Sequence, residues 1–341
     1  MIFRLAAKDK APIYKQLVTQ VERAIHEGKL QADEMLPSMN DLASSLGISR
    51  ETVKKAYNIL TDRGMIRPRQ GKGFYVADVT SDTRPQVLVI IDKFSIYKQA
   101  LLNAFTGHLG DAAEITLLNH NQSIDLLEYY LDCNLDAFEY YVVMPHFPLD
   151  AATQAKVSKQ LARIPNRKLI MLDRLQPSFP GNYGAVYQDF ENDIYKGLCD
   201  GLASGATIDN LRVITLPTSL YGKYIRKGVK LFSSEKHIPV EFFECAPDDI
   251  RKGDTFLVLN SQLDAGLVDL ARKIHDAGLQ TGRDVRIISY NEHEMNELIL
   301  GGLTTVSTDF CAMGRLAADM ILYKNPEKIH CPFRITRRST F

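Results

Sequence analysis

The 341-residue chain lacks the features that mark membrane and exported proteins. No stretch approaches the roughly 18 uninterrupted apolar residues that a membrane-spanning helix needs. The first ten residues, MIFRLAAKDK, contain too short an apolar run and too many charges for a signal peptide. We therefore expect a cytoplasmic protein that does not interact with a membrane.

Sequence patterns of metal, disulfide and catalytic sites are also missing. The five cysteines lie far apart without a C-x-x-C pair, which argues against zinc binding and against a disulfide framework. Neither a G-x-x-x-x-G-K-[ST] loop nor a G-x-S-x-G motif is present, and His293-Glu294 lacks the second histidine of H-E-x-x-H. We therefore predict that the protein is not an enzyme and that it needs no metal and no cofactor.

Charge is distributed unevenly along the chain, although its 41 basic and 41 acidic side chains cancel. Residues 1–78 contain 13 Lys and Arg against 9 Asp and Glu, and residues 49–76 contain 7 against 2. A folded basic segment attracts phosphate backbones, but a merely solvated basic face has the same composition. Charge alone leaves both alternatives open.

The N-terminal segment, residues 12–76, shows a pattern of three short helices. Apolar residues recur every four positions from Ile13 to Ile25, which predicts a helix with one buried face. Ser38 and Ser49 are placed to cap a second and a third helix, and each of these two helices stops at a glycine.

A β-hairpin follows the third helix. Two short extended runs, residues 65–69 and 74–76, flank the glycine-rich basic turn Gln70-Gly71-Lys72-Gly73. Three helices followed by such a hairpin predict a winged helix-turn-helix domain over residues 1–77.

The third helix is the predicted DNA-reading element. In a helix-turn-helix the second helix of the motif enters the major groove and offers its first turns to the bases. Its apolar face leaves polar side chains on the opposite side and the leading edge: Arg50, Glu51, Lys54, Lys55 and Asn58. Arg and Lys read guanine or clamp phosphates, and Asn reads adenine. The alternative is a helical packing module with a solvated basic face.

These motifs identify a resemblance to the winged-helix domain of the GntR family of bacterial regulators. The resemblance is carried by Leu36-Pro37-Ser38, Asp41-Leu42-Ala43, Gly47-Ile48-Ser49-Arg50, Thr52-Val53, Leu60, Gly64 and Gly71-Lys72-Gly73-Phe74. It implies binding to double-stranded operator DNA through Arg50, Thr52, Lys54, Gln70 and Gly71, to which we add Asn40 and the wing residue Lys72. The family often has Arg where this chain has Asn40 and Lys54, so we expect an unusual operator.

After the winged helix-turn-helix domain (the head), the sequence predicts an α/β domain. Residues 78–85 (DVTSDTRP) are polar and end in proline, which predicts a linker. From residue 86 to residue 341, apolar strands alternate with amphipathic helices, a pattern typical of parallel sheets covered on both faces. Strands are predicted at residues 87–91, 140–144, 169–172, 211–216, 255–259 and 285–289. Helices are predicted at residues 98–109, 151–162, 191–203, 265–277 and 314–323. The length fits two Rossmann-like lobes.

Residues 86–341 are similar to the effector domain of LacI-type repressors and to the related sugar-binding periplasmic proteins. The similarity is carried by Ile170-Met171-Leu172-Asp173-Arg174, Arg226-Lys227-Gly228-Val229, Val258-Leu259-Asn260-Ser261, Ile287-Ile288-Ser289-Tyr290-Asn291, Leu303-Thr304-Thr305-Val306 and Gly314-Arg315-Leu316-Ala317-Ala318. A GntR-like head on a LacI-like sensor resembles the arabinose-responsive repressor type.

The similarity implies a small-molecule site in the cleft outside the carboxyl ends of the strands. The residues expected to bind a sugar there are Phe94, Tyr97, His146, Asp173, Arg174, Arg226, Asn260, Asn291 and Thr308. The family usually has an acid where this chain has Asn291, which leaves room for another ligand. Four of these residues have structural alternatives: an ion pair between Asp173 and Arg174, a core position for Tyr97 and a loop role for His146.

Taken together, the sequence predicts a homodimeric, sequence-specific transcriptional regulator that acts as a repressor rather than an activator and is controlled by a sugar or a related small molecule. The alternative is a non-catalytic sugar-binding protein in which the head only dimerises.

Overall fold

A computed structural model of the protein describes residues 3, 12–26, 28–69, 71–77, 84–203, 205, 207–215, 219–259 and 265–341. These residues form two compact units. The first extends to Arg84 and also includes Leu322–Lys324, and the second comprises Pro85–Ile321 and Asn325–Phe341. Most of the predicted linker, residues 78–83, lies outside the described residues. Its role as a separator therefore stays a prediction.

The first unit contains the predicted helices and hairpin. Its elements are α1 (Ile13–His26), α2 (Met39–Leu46), α3 (Arg50–Asp62), β1 (Ile66–Arg69) and β2 (Gly73–Val76). The two strands pair antiparallel, with Ile66 opposite Val76 and Arg69 opposite Gly73. The predicted winged helix-turn-helix is thereby confirmed.

The helix boundaries follow from local capping. The Ser38 hydroxyl accepts a hydrogen bond from the backbone N–H of Asp41 at 3.2 Å and donates to the Asp41 carboxylate at 2.6 Å. Gly47 ends this helix in the left-handed conformation, with φ of 65°. Ser49 accepts a hydrogen bond from the backbone N–H of Thr52 at 3.2 Å and so begins α3. These caps satisfy backbone groups that a helix end leaves free.

The core of the first unit fixes α3 against the hairpin. Val53 and Leu60 are fully buried, and Tyr57 packs edge-on against Phe74 with ring centroids 5.0 Å apart. The Tyr57 hydroxyl donates to the carbonyl of Pro37 at 2.8 Å. Because one face of α3 is held in this way, its opposite face is presented to solvent.

The second unit is an α/β domain. Its strands are β3 (Gln86–Ile91), β4 (Glu114–Asn119), β5 (Tyr140–Val143), β6 (Leu169–Asp173), β7 (Gly184–Tyr187), β8 (Leu211–Ile214), β9 (Val240–Phe243), β10 (Thr255–Val258), β11 (Arg286–Tyr290), β12 (Thr304–Thr308), β13 (Lys328–His330) and β14 (Phe333–Thr336). Its helices are α4 (Ile96–Leu109), α5 (Ile124–Asn134), α6 (Ala151–Leu161), α7 (Phe190–Ala203), α8 (Gly222–Lys236), α9 (Ala265–Asp276) and α10 (Phe310–Leu322).

The strands build two sheets, one in each lobe. The first lobe has the order β13-β7-β6-β5-β3-β4, and all of its pairs are parallel. The second lobe has the order β14-β12-β11-β10-β8-β9, in which only the β12–β14 pair is antiparallel. The chain therefore crosses between the lobes after β7, after β12 and after β13. The predicted fold of two parallel-sheet lobes is confirmed.

Two glycines from the predicted motifs let helices approach closely. A Cβ on Gly228 in α8 would lie 2.1 Å from the carbonyl oxygen of Glu191 in α7. A Cβ on Gly314 in α10 would lie 2.3 Å from the carbonyl oxygen of Leu101 in α4. Both distances are too short for any side chain, so these positions require glycine.

Of the six strands in the second unit that the sequence pattern missed, four lie at sheet edges. Strand β4 is half exposed along its length, and β9 is only partly buried. Because edge strands lack the continuous apolar run of a buried parallel strand, their sequences resemble loops. In the described ranges, no helix combines the length and apolar content needed to span a bilayer.

Candidate functional site

The solvent-facing side of α3 carries two of the seven predicted DNA contacts, Arg50 and Lys54. Arg50, the first residue of the helix, is exposed, as is Asn40 near the start of α2. Within the described part of the chain neither side chain has a hydrogen-bond or ion-pair partner. Lys54 is also exposed and lies 3.5 Å from the Glu51 carboxylate. Arg50 and Asn40 are therefore available to an external partner.

Thr52 has a different environment from its neighbours. It is half buried, and its hydroxyl lies 2.8 Å from the hydroxyl of the capping residue Ser49. This contact holds the Thr52 side chain against the start of α3. Less of its side chain is therefore accessible to DNA than of Arg50.

The wing presents a basic tip. Gly71 and Gly73 have φ of 71° and 100°, a conformation that favours glycine. Lys72 between them is exposed, and its side chain has no partner among the described residues. Farther along the hairpin, Arg67 and Arg69 both pair with Asp33. Gln70 lies outside the described residues.

A cavity of about 420 Å³ lies between the two lobes of the second unit. Its lining comes from the ends of β6 and β11 and from the segments that follow β3, β4, β5, β7, β8, β10 and β12. This is the carboxyl-end position that parallel α/β sheets use for ligands, as predicted. The volume lies within the roughly 300–1,000 Å³ of small-molecule sites.

A continuous series of contacts between buried polar side chains runs along the wall of the cavity. His146 Nε2 lies 2.8 Å from the Asp173 carboxylate, and Nδ1 lies 2.6 Å from the Tyr221 hydroxyl. The other Asp173 oxygen accepts a hydrogen bond from the Gln188 amide, whose oxygen accepts one from Thr308 at 2.7 Å. Tyr221 and Thr308 belong to the second lobe, so this series of polar contacts joins both lobes.

Interactions with neighbouring side chains keep the buried Asp173 carboxylate ionised. Burial by itself would raise the pKa of the carboxyl group, but the interactions with His146, Lys98 and Gln188 lower it to about 2. The Asp173 backbone has φ of 71°, in the left-handed region that side chains rarely adopt. This conformation is held in a fully packed surrounding at the end of β6.

A second buried ion pair lines the cavity. Lys98 in α4 contacts the carboxylate of Asp92, which directly follows β3. Both residues are almost completely shielded from solvent. Burying either charge without the other would be strongly unfavourable, so the pair is held together by its surroundings.

Three buried polar atoms at the cavity make no hydrogen bond with a described residue. One of them is His146 Nε2, which lies 2.8 Å from the Asp173 carboxylate but not in hydrogen-bonding geometry. The buried hydroxyl of Tyr290 and the side-chain oxygen of Asn291 make no hydrogen bond with any described residue. Both residues line the cavity at the end of β11. Because buried polar groups in folded proteins are nearly always paired with protein groups or with ordered water, these atoms can form hydrogen bonds with a molecule in the cavity.

Aromatic rings provide the apolar walls of the cavity. Phe190 and Tyr221 stack with ring centroids 4.3 Å apart and an interplanar angle of 4°. Tyr97 and Phe310 lie 6.0 Å apart at 31°. Flat apolar faces beside hydrogen-bonding groups suit a ring-shaped ligand with polar edges.

The structure brings some of the predicted ligand residues together. Tyr97, His146, Asp173 and Asn291 line the cavity. Asn260 lies outside the described residues.

The remaining four predicted residues are not among those that line the cavity. Arg174 is buried, donates to the carbonyl of Pro145 at 3.3 Å and lies over the Tyr221 ring. The guanidinium of Arg226 lies 4.3 Å from the centroid of Phe242, and one of its nitrogens lies 3.4 Å from the Thr215 hydroxyl.

The Thr308 hydroxyl donates a hydrogen bond to the Gln188 side-chain oxygen, and the Phe94 side chain is 63% exposed to solvent. A role of these four residues in ligand binding stays a prediction.

Sequence reasoning missed several lining residues. Asp92 had a usable signal, because it ends an apolar strand just as Asp173 does. Gln188 follows β7, a short strand that the pattern did not reveal. Tyr221, Tyr290 and Lys98 had no local signal, since each lies in a helical or apolar context that is typical of a core.

The fold and the cavity define a class of protein: a winged-helix DNA-binding unit joined to a two-lobed small-molecule-binding unit. Residues 13–76 match the family described as bacterial regulatory proteins, gntR family. Residues 226–340 match the periplasmic binding protein-like domain.

Individual relatives agree with this class. The HTH-type transcriptional regulator GalR of Streptococcus thermophilus is 24% identical over 321 residues, which cover 84% of this chain and 92% of that protein. The HTH-type transcriptional repressor NagR of Bacillus subtilis is 39% identical over 66 residues, which cover 19% of this chain and 27% of that protein. The second match is limited to the head.

Solved structures show the same fold. A lac repressor dimer bound to operator and an anti-inducer has a TM-score of 0.59 at 15% identity, covering 77% of this chain and 96% of that one. The trehalose repressor from Escherichia coli has a TM-score of 0.57 at 13% identity, covering 74% and 100%. The chain is thus a transcriptional regulator with a GntR-type DNA-binding domain and a periplasmic binding protein-like domain that has the fold of the lac repressor. Its relatives are regulators, a class without catalysis.

Proposed function

We propose that this regulator is a cytoplasmic, homodimeric repressor whose affinity for its operator changes when a sugar or a related small molecule binds between the lobes. The observation that carries the proposal is the pair of unpartnered buried atoms, Tyr290 Oη and Asn291 Oδ1, at a cavity in a chain with a winged-helix head. Such atoms can form hydrogen bonds with a ligand in the cavity.

The proposed DNA contacts lie on α3 and the wing. Arg50 and Asn40 are exposed and unpaired in the described ranges, which suits base-edge contacts. Lys54 and Lys72 are exposed cations that suit phosphate or base contacts. Thr52, Gln70 and Gly71 complete the set that the family resemblance implies.

The sugar is proposed from the chemistry of the cavity. Stacked rings suit the C–H face of a sugar ring, while carboxylate, amide and hydroxyl groups suit its hydroxyls. Tyr97, His146, Asp173 and Asn291 are the proposed contacts that line the cavity. Arabinose, suggested by the resemblance, is one member of this class.

Control of DNA binding requires thermodynamic linkage between the two sites. A ligand changes operator affinity only if it binds the DNA-competent and the incompetent arrangements with different affinity. A cavity between two lobes provides such a difference, because opening or closing the lobes changes the contacts that the ligand makes.

Fluorescence anisotropy tests this function directly. The full chain is titrated onto labelled duplexes from its own promoter region and onto a scrambled duplex, with and without a panel of monosaccharides. We expect preferential binding to a promoter duplex and a shift in affinity with at least one sugar. An Asn291→Ala variant should bind the same duplex but need much more sugar to respond.

The outcomes separate the two candidate functions. Sugar binding without any preference for promoter DNA would favour the alternative, a sugar-binding protein whose head only dimerises. Sedimentation equilibrium on the full chain tests the proposed homodimer, and a monomer at micromolar concentration would contradict it.

A further inference from the structure

The two strands of the wing carry arginines on one face. Arg67 and Arg69 are two residues apart in β1, so both side chains leave the same face of the hairpin. Tyr75 lies opposite Arg67 on that face, and its ring centroid lies 4.4 Å from the Arg69 guanidinium. On the other face Pro68 is opposite Phe74, which packs against the core of the unit. The face with the arginines is therefore directed to solvent.

A single carboxylate is bound to both arginines. One oxygen of Asp33 accepts hydrogen bonds from Arg67 and from Arg69. Asp33 lies between α1 and α2, and its backbone N–H donates to the carbonyl of Val76 in β2 at 3.0 Å. The carboxylate is therefore held beside the arginines by the backbone as well as by the ion pairs.

Fold stability gives little reason for a carboxylate at this position. The backbone of Asp33 has φ of 64°, in the left-handed region that favours glycine and in which Asp and Asn are tolerated better than most side chains. Asp33, Arg67 and Arg69 are all exposed, and exposed ion pairs contribute little to stability. The hydrogen bond from Arg67 holds the pKa of the Asp33 carboxyl below its usual value, so the group is ionised at neutral pH.

The carboxylate lowers the positive charge of this face. Two guanidinium groups and one carboxylate leave one positive charge in place of two. Arginine binds phosphate through its N–H donors, and the donors that bond to Asp33 are not available to DNA. A phosphate at these arginines would also lie beside a like charge. Asp33 is thus placed to compete with phosphate for both arginines.

We propose that Arg67 and Arg69 form a phosphate-binding face on the wing and that Asp33 limits its affinity by competing with the DNA backbone. The inference rests on the proposed function, since it takes α3 and the wing as the DNA-binding surface. Asp33 is a positioning residue that acts through the two arginines. Because phosphate contacts carry no base information, Asp33 lowers the affinity for all sequences alike and leaves the regulator more dependent on its base contacts.

The salt dependence of DNA binding measures this competition. Each phosphate contact contributes about 0.9 to the slope of log affinity against log salt concentration. Asp33→Asn should therefore steepen the slope of the full chain by about 0.9, and the double variant Arg67→Ala, Arg69→Ala should flatten it by about the same amount. Asparagine suits the left-handed backbone of Asp33, so this variant keeps the local conformation.

Fluorescence anisotropy provides the slopes with a labelled duplex from the protein's own promoter region and with a scrambled duplex. Asp33→Asn should bind both duplexes about tenfold more tightly than wild type at about 50 mM potassium chloride and about threefold more tightly at about 200 mM. The ratio of the two affinities should stay unchanged. Asp62→Asn removes the same charge from the last residue of α3, at the end of the helix opposite the reading turns. This control should have the affinity and the slope of wild type.

The outcomes separate this inference from the proposed function. Wild-type affinity and slope in Asp33→Asn would overturn the competition, while promoter preference of the wild type would leave the proposed function standing. Failure of the wild type to bind either duplex would overturn both. Asp33→Gly, which also suits this backbone, should steepen the slope equally and replaces Asp33→Asn if that variant does not fold.

A combined variant tests whether Asp33 acts through the arginines. In the double variant Arg67→Ala, Arg69→Ala no phosphate is held beside the carboxylate, so adding Asp33→Asn should lose most of its effect. A full effect of Asp33→Asn in that background would show that the carboxylate repels DNA directly, and would overturn its role through the arginines.

Discussion

The hydroxyl of Tyr221 and Nδ1 of His146 share a hydrogen bond of 2.6 Å that joins the two lobes beside the cavity. Tyr221 precedes α8 in the second lobe, and His146 follows β5 in the first. The Tyr221 ring is held independently by its stack on Phe190. The hydroxyl can therefore be removed without displacing the ring.

Tyr221→Phe should destabilise the protein. It leaves a buried nitrogen of His146 without a partner, which lowers the free energy of unfolding by about 1–3 kcal/mol. Urea denaturation followed by circular dichroism measures the change. Tyr224→Phe, which removes a hydroxyl from the first turn of α8, is the control and should have little effect. Equal stability of Tyr221→Phe and wild type would show that the hydrogen bond between the lobes contributes nothing.

Tyr290→Phe should have the opposite effect on stability. The Tyr290 hydroxyl is buried without a partner, so its removal relieves a desolvation cost and leaves the ligand-free protein equally stable or more stable. Ligand affinity should fall by about tenfold, since the ligand loses a hydrogen bond. Denaturation and calorimetry on the same preparation measure both quantities. A clear loss of stability would mean that this hydroxyl has a partner in the free protein.

His120 should make the protein acid-sensitive. Its Nδ1 accepts from the Gln122 backbone N–H at 3.0 Å and its Nε2 lies 3.0 Å from the Met144 carbonyl, an arrangement that needs the neutral ring. Burial lowers the pKa of His120 to about 4 from 6.5. Below pH 6.5 His120 becomes protonated in the unfolded chain but stays neutral in the folded protein. The free energy of unfolding therefore falls as the pH drops towards 4.

The contribution of His120 is separable from that of other groups. The lowered pKa of His120 corresponds to a loss of about 3 kcal/mol in the free energy of unfolding as the pH falls from 6.5 to 4. His120→Gln should flatten the dependence of the unfolding free energy on pH, while His275→Gln, at a 90% exposed side chain, should not. Parallel slopes for His120→Gln and wild type would exclude this assignment.

Arg50 and Lys72 should affect DNA binding in different ways. Arg50→Ala should lose about 1–3 kcal/mol of discrimination between operator and scrambled DNA, because a base contact is removed. Lys72→Ala should weaken binding to both duplexes alike and flatten the salt dependence, because a phosphate contact is removed. Anisotropy at several salt concentrations measures both effects. Lys156→Ala, an exposed cation of α6, is the control. Intact operator preference in Arg50→Ala would rule out α3 as the reading helix.

Limited proteolysis should cut first within residues 78–85. The segment is polar and ends in proline, a composition typical of a linker. The product containing residues 86–341 should still bind the sugar that the full chain binds, as calorimetry can measure. Initial cuts inside residues 86–341 would contradict the proposed domain boundaries.

The sequence by itself determined the local elements of the protein. Ser38 and Ser49 cap their helices because a cap acts on a backbone N–H only three residues away. The central strands of both lobes were recognisable because a strand buried on two faces must be apolar throughout. The family motifs were recognised by resemblance, and the matches over residues 13–76 and 226–340 confirm those that lie within these two ranges.

Only the tertiary structure decided which side chains share the cavity. Tyr221 and His146 are 75 residues apart in sequence, and Thr308 and Gln188 are 120 apart. Their contacts depend on a chain that crosses three times between lobes, which no local pattern encodes. The side chain of Arg226 lies against Phe242, because the position of a long side chain is settled by the surfaces that surround it after folding. Spacing along the chain fixes hydrogen bonds within a turn, whereas packing across lobes fixes a binding site.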